Sequence, residues 1–582
     1  MSNLDPEILK KAQAWTAAPF DADTQAAVQS LLAEGKPEDI TDAFYRDLDF
    51  GTGGLRGIMG VGNNRINRYT VGKATQGLAN YLKLQLPGKQ ISVAISCDSR
   101  NNSRNFAQVV ADVFSANGIT VHLFPELRPT PLLSFAVRHL NCDAGVMLTA
   151  SHNPKEYNGY KAYWNDGGQL VPPHDKGVIA EVNKVAFEAI KFEGIAENIK
   201  TIDDSLDAAY VAGIKGLGIR PEAVAAQGNL NIVYSPIHGT GITLVPRSLA
   251  AWGFTNVNVV GEQAEPDGNF PTVVYPNPEE EEAMSMGLRH AAATDADLLL
   301  ATDPDADRVG VGVKNLEGKY ILLNGNQIGS LIVNYVLSSK HEKGILPANG
   351  FACRTIVTTE LFSKIAAAYN VPCGVVLTGF KYIGELMTEK AGKEVFLAGG
   401  EESYGFLVGD LVRDKDAVVS CCFIAEMTAY YKAQGKTLYE ALLDIYRTYG
   451  FYRERLVSLT KKGKTGLEEI VGMMAQLRKA PPTQLGGLAV TRIADYKTRK
   501  SYNIDGSEEQ PIDLPVSDVL QFTLADGTVI SARPSGTEPK IKFYSSTLTA
   551  MEANNNDWDA AELGMIAKMD TMIGELSAVA PA

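Results

Sequence analysis

The stretch ISVAISCDSRNNSRNFAQVVADVFSANGITVHLF, residues 91–124, decides the fold class. Residues 91–98 form an apolar run that indicates a strand, residues 103–118 have the pattern of a helix ending at a glycine, and ITVHLF indicates a second strand. A helix over 131–140 and the strand AGVMLTA (144–150) continue the alternation. Strands that alternate with helices predict a parallel sheet with crossover helices.

The same alternation recurs twice along the chain. The predicted strands are NLNIVYSP, NVNVVGE and ADLLLATD in the second block and RTIVTT, GVVLTG and EVFLAGG in the third. Before the first block, the opening 45 residues or so indicate short helices. The pattern therefore predicts three successive α/β units with parallel or mixed sheets.

The tail of the chain has a different pattern. A helix near 464–479 precedes LAVTRIADY and LQFTLADGTVISAR, whose Asp-Gly pair marks a hairpin. The strand KIKFYSST and a helix over about 551–577 follow. We therefore predict an α/β protein with a C-terminal α+β domain, divided into domains at 1–205, 206–325, 326–455 and 456–582.

Composition and charge restrict the class of protein. Hydrophobic residues make up 45% and charged residues 21% of the 582 residues, as in an ordinary globular chain. The formal charge of −14 argues against nucleic acid as a partner, because an acidic surface repels phosphate backbones. No apolar run approaches the roughly 20 residues that span a bilayer. We expect a monomer or weak homodimer that binds neither nucleic acid nor membrane.

Cysteine usage and the N-terminus indicate the compartment. The six cysteines have no CxxC spacing, which favours reduced and mostly buried thiols. The N-terminus MSNLDPEILKKAQAW lacks the apolar segment of a secretory signal. We therefore expect a cytoplasmic protein.

Each α/β unit contains an apolar strand that runs directly into a polar loop. AGVMLTA meets SHNP, ADLLLAT meets DPDADR, and VFLAGG meets EESYG. Ligands bind at the carboxyl ends of strands in open parallel sheets. We interpret the three loops as parts of one central cleft; the alternative is three unrelated surface loops.

The loop DPDADR (303–308) carries carboxylates at alternate positions, Asp303, Asp305 and Asp307. A cation would relieve their mutual repulsion, and three protein ligands suit Mg²⁺, which often keeps positions for phosphate or water. A calcium EF-hand loop also opens with this spacing, but Arg308 stands where that loop needs Gly. The alternative without metal is a solvated acidic turn. Arg308 itself offers a planar donor to phosphate.

Ser151 begins the polar loop of TASHNPKEYNGYKAYW (149–164). A lone loop serine is more often a cap or turn residue, and the G-x-S-x-G elbow of hydrolases is absent. Beside Mg²⁺ and an arginine, however, a phosphoserine is a phosphoryl donor. Lys161 either stabilises phosphate charge or moves protons, and His152 either orients the loop or titrates.

Further loops indicate sugar and phosphate binding. In GEESYG (400–405), carboxylates between glycines suit vicinal hydroxyls. RPSGTEPKIK (533–542) combines an arginine clamp with a glycine that lets backbone N–H groups point at an anion. GTGGLRG (51–57) and TGFKYIG (378–384) are candidates for which a structural turn competes with a ligand role. The candidate residues are Glu401 and Ser403; Arg533, Ser535, Gly536 and Thr537; Arg56; and Lys381. The loop SPIHGTG contains His238, for which we assign no role.

These motifs, from GLRG at 54–57 to RPSGTEP at 533–539, resemble the α-D-phosphohexomutase family in type and order. The resemblance implies four domains around a deep cleft, a phosphoserine at Ser151, and one Mg²⁺ ion held by the three aspartates together with the Ser151 phosphoryl oxygens. It implies that Glu401 and Ser403 bind the sugar and that the 533–537 loop holds a phosphate. It places Lys161 and Arg308 near the reacting phosphate.

Within this family, GEESYG, TGFKYIG and the length resemble the phosphoglucomutase and phosphopentomutase branch. Phe380 departs from the Trp or His of several relatives. The implied reaction interconverts glucose 1-phosphate and glucose 6-phosphate, with a sugar bisphosphate as intermediate and activator. The alternatives are activity on pentose or mannose phosphates, a sugar-bisphosphate synthase, and a sugar-phosphate binding protein without catalysis.

Overall fold

The structure is a computed structural model that describes residues 4–51, 54–461, 463–535, 540–549 and 557–579. The chain begins with the short helices α1 (Pro6–Ala14), α2 (Ala22–Glu34) and α3 (Pro37–Phe44). The side chains of Asp5 and Asp21 cap the first two helices by accepting backbone N–H groups. The prediction of short helices at the start of the chain is confirmed.

The first sheet has six strands in the order β1-β5-β4-β2-β3-β6. Its strands β2, β3, β4 and β6 are parallel to one another, whereas β5 pairs antiparallel with both β4 and the edge strand β1. The strands are β1 (Gly54–Ile58), β2 (Ser92–Cys97), β3 (Thr120–Leu123), β4 (Ala144–Leu148), β5 (Tyr157–Trp164) and β6 (Ile199–Thr201). The accompanying helices are α4 (Arg68–Gln85), α5 (Ser103–Ala116), α6 (Thr130–His139) and α7 (His174–Lys184).

The strands at this antiparallel edge were not predicted. The pattern of residues 149–164 predicts one polar segment without a strand. In the structure, residues 157–164 form β5, which pairs with both β1 and β4. Asn158 and Lys161 are buried in this strand, so its sequence lacks the apolar alternation of an ordinary strand. The mixed direction of the sheet follows from β5, which runs opposite to the strands on both of its sides.

The second sheet has five strands in the order β11-β10-β9-β7-β8. The apolar strand β9 is parallel to β7 and forms an antiparallel hairpin with β10, so the loop DPDADR lies at the turn of that hairpin. The strands are β7 (Ile232–Ser235), β8 (Val257–Val259), β9 (Leu298–Thr302), β10 (Val309–Lys314) and β11 (Tyr320–Leu323). The helices are α8 (Asp204–Lys215), α9 (Pro221–Ala226), α10 (Val245–Trp252), α11 (Gly261–Ala264) and α12 (Glu281–Thr294).

The third block again alternates helices and strands, and β12 pairs in parallel with β13. The strands are β12 (Gly350–Thr355), β13 (Cys373–Val376), β14 (Val395–Glu401) and β15 (Gly405–Val408). The helices are α13 (Gly325–Glu342), α14 (Leu361–Ala368), α15 (Phe380–Lys390), α16 (Ala417–Lys432) and α17 (Leu438–Tyr449).

The tail forms an antiparallel sheet covered by two helices. The hairpin between β21 and β22 turns at Asp526 and Gly527, as the Asp-Gly pair predicts, and Gly527 has a φ of 84°. The strands are β16 (Phe451–Thr460), β17 (Gln484–Leu485), β18 (Leu488–Asp495), β19 (Lys500–Asn503), β20 (Gln510–Pro511), β21 (Leu520–Leu524), β22 (Val529–Pro534) and β23 (Lys540–Thr549). The helices are α18 (Gly463–Lys479) and α19 (Trp558–Ser577); residues 551–556 of the predicted last helix lie outside the described residues.

The chain divides into two compact units. The first contains Met1–Gly325, Phe380–Ala398 and Ser403–Leu438, and the second contains Asn326–Gly379, Gly399–Glu402 and Tyr439–Ala582. The predicted class, α/β with mixed sheets and an α+β tail, is confirmed, while the predicted division into four domains stays a prediction. In the described part of the chain, no helix is both long and apolar enough to cross a bilayer. All six cysteines are free thiols, and all except Cys373 are buried.

Gly159 provides a test of the β1–β5–β4 edge. A Cβ atom at this position would lie 2.5 Å from the Thr149 carbonyl oxygen and 2.7 Å from that of Leu55. These contacts are with backbone on both sides, so we expect Gly159→Ala to destabilise the protein by about 1–3 kcal/mol, as overpacking does. A lower midpoint in thermal denaturation would show this.

Gly564 in α19 is the matched control for that substitution, because a Cβ atom there would have no neighbour within 4 Å among the described residues. Gly564→Ala should leave the melting temperature equal or higher, since alanine favours helix by roughly 0.5–1 kcal/mol. Equal effects of the two substitutions would contradict the packing described for Gly159.

Candidate active site

Ser151 lies directly after β4, at the start of its loop, and is 3% exposed. Its backbone is in the left-handed region with φ of 53°, which is uncommon for a residue other than glycine. Its N–H donates to Thr149 Oγ1 at 2.8 Å, and its hydroxyl oxygen lies 3.1 Å from both Asp303 Oδ2 and His152 Nδ1. The structure thus places the predicted serine against the predicted acidic loop.

The aspartates of the β9–β10 hairpin form one buried cluster. Asp303 and Asp305 have no exposed surface and Asp307 is 1% exposed. One oxygen from each carboxylate lies within 4.8 Å of the other two. Three carboxylates at this separation repel one another unless cations or donors compensate their charge.

Each carboxylate has one oxygen that accepts from two donors. Asp303 Oδ1 accepts the backbone N–H groups of Asp307 and Arg308 at 3.1 and 3.0 Å. Asp305 Oδ2 accepts Thr130 Oγ1 and Lys161 Nζ, both at 2.7 Å. Asp307 Oδ2 accepts the same lysine at 3.0 Å and lies 3.2 Å from Lys415 Nζ.

The second oxygen of each carboxylate fits a metal ion. Asp305 Oδ1 and Asp307 Oδ1 are buried and have no hydrogen-bond partner among the described residues. Asp303 Oδ2 accepts only from the Ser151 hydroxyl in the described part of the chain. One oxygen from each aspartate, with the serine oxygen beside them, is a ligand set for a hard divalent cation. The residues present therefore fit the metal that the family implies.

The electrostatics of the cluster differ from one carboxylate to the next. Burial, together with Asp305 and Asp307, raises the pKa of Asp303 well above its ordinary value. Burial also raises the pKa of Asp307, but Lys161 and Lys415 outweigh it and hold that pKa well below normal. Burial lowers the pKa of Lys161, but Asp305 and Asp307 exceed that effect and raise it overall. The lysine is therefore a cation at neutral pH.

Three other predicted residues surround the serine loop or the aspartates. The Arg308 guanidinium pairs with Glu279, while its backbone binds Asp303. Arg56 on β1 donates to Asn153 Oδ1 at 3.2 Å. Burial, and after it the charges of Arg308 and Arg56, lower the pKa of His152 well below its ordinary value, so this imidazole is neutral.

Two residues that complete the cluster come from distant segments and were not predicted from the sequence. Thr130 opens α6, and Lys415 lies between β15 and α16, where it also contacts Asp414 Oδ1 at 3.1 Å. The signals were a Thr between two prolines in RPTP and a lysine between two acids in RDKDA. Neither string is specific, because such residues are common at helix starts.

The loop SPIHGTG binds the acidic loop through hydrogen bonds to its backbone. The N–H and Oγ1 of Thr240 both donate to the Pro304 carbonyl, at 2.8 and 2.9 Å. His238 is buried, and its ring nitrogens lie 3.0 Å from the Glu265 carbonyl oxygen and 2.9 Å from Thr272 Oγ1. His238 therefore holds this loop in place and does not face the cluster as a metal ligand.

The second compact unit contains most of the predicted sugar and phosphate residues. Glu401 Oε1 accepts the Gly379 N–H at 2.9 Å, and Glu402 Oε2 accepts Thr358 Oγ1 at 3.1 Å. Burial, followed by the charge of Glu402, raises the pKa of Tyr544, whereas a hydrogen bond from Arg533 lowers it. Tyr544 thus lies near both the GEES loop and the arginine of the last loop.

The remaining predicted residues are placed as follows. Ser535 follows β22, and its N–H donates to the Lys540 carbonyl of β23 at 2.7 Å. Gly536 and Thr537 lie outside the described residues. In the first unit, Lys381 is in α15, where burial lowers its pKa, and Ser403 is between β14 and β15.

Comparisons with known proteins assign the family. Models of phosphoglucomutase/phosphomannomutase α/β/α domains I, II and III match residues 47–189, 208–318 and 324–449, which together exceed half of the chain. The chain therefore belongs to the phosphoglucomutase/phosphomannomutase family, the α-D-phosphohexomutases that its motifs resemble.

Individual relatives within this family are phosphoglucomutases. The chain is 38% identical over 509 residues to the phosphoglucomutase of Staphylococcus haemolyticus, covering 86% of this chain and 91% of the relative. It is 37% identical over 533 residues to that of Staphylococcus epidermidis strain RP62A, covering 90% of this chain and 95% of the relative.

Solved structures share the fold. The open form of Paramecium pp63/parafusin, a phosphoglucomutase, has a TM-score of 0.69 at 18% identity and covers 92% of this chain and 96% of its own. A phosphoglucomutase/phosphomannomutase family protein from Burkholderia thailandensis has a TM-score of 0.65 at 18% identity and covers 91% and 98%.

The repulsion among the aspartates can be measured without activity. Asp303→Asn puts a neutral amide in place of a carboxyl group whose ionisation is disfavoured by burial and by two neighbouring carboxylates, and it keeps the acceptor for two N–H groups. We expect its melting temperature in EDTA to exceed that of the wild type by about 2 °C or more, the change that roughly 1 kcal/mol produces in a large domain.

Asp143 is the matched control for that substitution. It is also buried, but it pairs with Lys89 and accepts the Ser92 N–H at 3.1 Å. Asp143→Asn should lower the melting temperature, because it leaves a lysine without its partner. A lower melting temperature for both variants would contradict the repulsion described for the cluster.

Proposed function

We propose that this protein is a phosphoglucomutase that interconverts glucose 1-phosphate and glucose 6-phosphate through phosphorylated Ser151 and glucose 1,6-bisphosphate. The observation that carries the proposal is the contact of Ser151 Oγ with the aspartate cluster. Relatives named phosphoglucomutase, 37–38% identical over most of the chain, support the same activity.

The acidic cluster supports a metal-assisted transfer of the phosphoryl group. Asp303, Asp305 and Asp307 would hold one Mg²⁺ ion through Asp303 Oδ2, Asp305 Oδ1 and Asp307 Oδ1. When bound, the ion supplies positive charge that stabilises the transferring phosphoryl group. The donors on the opposite oxygens keep each carboxylate in that orientation before the ion binds.

Transfer from Ser151 breaks the P–Oγ bond and forms a bond from phosphorus to a sugar hydroxyl oxygen. The proton that this hydroxyl loses is balanced by protonation of the departing Ser151 oxygen. Lys161 remains protonated and supplies positive charge to the cluster through Asp305 and Asp307. His152, neutral and 3.1 Å from Oγ, orients that oxygen. The returning phosphate of the bisphosphate then restores the phosphoserine, and product leaves with its phosphate on the other carbon.

The predicted sugar and phosphate residues would bind the rest of the substrate. Glu401 and Ser403 would accept and donate hydrogen bonds with sugar hydroxyls, and Arg533 and Ser535, with Gly536 and Thr537, would hold the phosphate that does not react. Arg56 and Lys381 would add positive charge for these anionic substrates. We further propose the four-domain division and a monomer or weak homodimer in the cytoplasm.

The serine assignment predicts that Ser151→Ala lowers mutase activity by at least about 10⁴-fold, because no oxygen remains to carry the phosphoryl group. The measurement is conversion of glucose 1-phosphate with Mg²⁺ and glucose 1,6-bisphosphate as activator. The control is Ser115→Ala, since Ser115 is also buried but its hydroxyl donates to the Asp112 carbonyl rather than to the cluster.

Retention of activity in Ser151→Ala would refute the assignment. In the same assay, a panel with mannose and ribose 1-phosphates tests the substrate. A higher kcat/KM for either sugar would replace glucose as the preferred substrate. Net release of bisphosphate from a separate phosphoryl donor would identify a synthase instead of a mutase.

The metal assignment predicts an effect of Thr130, which holds Asp305 Oδ2 and leaves Oδ1 for the ion. Loss of a partner that orients a metal ligand typically costs 10–100-fold in affinity. We therefore expect Thr130→Val to weaken Mg²⁺ binding, measured by calorimetry, by about 10-fold or more. Thr130→Ser, which keeps the hydroxyl, should bind like the wild type; equal affinities in all three proteins would contradict the assignment.

A further inference from the structure

Arg100 lies behind the serine loop and binds four of its carbonyl groups. Its side chain has no exposed surface. Nη2 donates to the Ser151 carbonyl at 2.6 Å and to that of Asn153, while Nη1 donates to those of Pro154 and Tyr157 at 2.9 and 3.1 Å. One guanidinium therefore binds the backbone along the whole loop between β4 and β5.

The guanidinium is itself fixed on its other edge. Its Nε lies 3.3 Å from Asp98 Oδ2, and the other oxygen of that carboxylate accepts the Arg100 N–H and the Ser103 hydroxyl. The ring of Phe270 lies 5.1 Å from the guanidinium carbon. Asp98, which follows β2, and Phe270, which belongs to the second α/β block, thus both contact Arg100.

This arrangement determines which way the serine loop faces. A trans peptide directs its C=O and N–H to opposite sides, so the Ser151 carbonyl on Arg100 turns the His152 N–H away from it. The left-handed backbone of Ser151 has a steric cost, because Cβ lies close to the following carbonyl oxygen. Hydrogen bonds from a charged donor are stronger than those between neutral groups and maintain this conformation.

We infer that Arg100 is a positioning residue that holds the loop so that Ser151 Oγ lies on the aspartate cluster. Its kinetic consequence rests on the proposed function. The inference requires the planar fork of arginine, because a lysine ammonium cannot reach four carbonyl oxygens along the loop. Arg100→Lys keeps the charge beside Asp98 and removes most of the loop contacts, so it is the informative variant.

The test measures the loop and the reaction separately on the full chain. In hydrogen–deuterium exchange of the unliganded protein, Arg100→Lys should increase exchange in residues 151–157 by about 10-fold or more, with the rest of the chain unchanged. In the mutase assay kcat should fall by about 100-fold, the effect of a misplaced reacting group, with KM within about 3-fold of the wild type.

Two further variants make the test specific. Arg104→Lys is the matched control, since Arg104 donates to the Phe124 carbonyl at 2.7 Å and not to the serine loop. Asp98→Asn should change both measurements in the same direction as Arg100→Lys but less, and it carries the test if Arg100→Lys does not fold.

The inference fails if loop exchange is unchanged, if kcat stays within about 3-fold of the wild type, or if Arg104→Lys has the same effects. It also fails if KM rises while kcat does not fall, because that result indicates lost binding instead of lost positioning. The exchange measurement does not depend on activity. If the wild-type protein had no mutase activity, the proposed function would be refuted. The exchange measurement would then still test the contact between Arg100 and the serine loop.

Discussion

Three buried carboxylates within 4.8 Å of one another are the constraint on which the rest of the site depends. Their repulsion is reduced because each has one oxygen bound by two donors, and those donors come from distant segments. Backbone N–H groups of the hairpin donate to Asp303. Thr130 and Lys161 donate to Asp305, and Lys161 and Lys415 lie against Asp307. The fold of the first unit brings these donors together and places Asp303 Oδ2 against the Ser151 hydroxyl.

The sequence predicted the parts of the protein whose signal is local. Apolar strands that run into polar loops gave the α/β class, and the spacing of Asp303, Asp305 and Asp307 gave the cluster, because both patterns lie within about ten residues. The strand Tyr157–Trp164 was missed because its buried Asn158 and Lys161 have polar partners, which removes the apolar alternation.

The missed site residues have a different cause. Thr130, Lys415 and Arg100 act through contacts with segments distant in sequence, and their roles depend on where the sheets place them. Arg100 is the clearest example, since it binds carbonyl groups, which every residue has, and leaves no mark on the loop sequence. Such residues become visible only once the register of β1, β5 and β4 is known.

Lys161 also has a consequence for assembly. It is on the first sheet, yet its ammonium group bridges two aspartates of the hairpin in the second. The first sheet alone would contain the Lys161 ammonium group without the aspartates, and the second sheet alone would contain the aspartates without this lysine. The complete aspartate cluster should consequently form late in folding, after both sheets have formed and docked. A chain interrupted between the two sheets would lack this cluster even with its secondary structure intact.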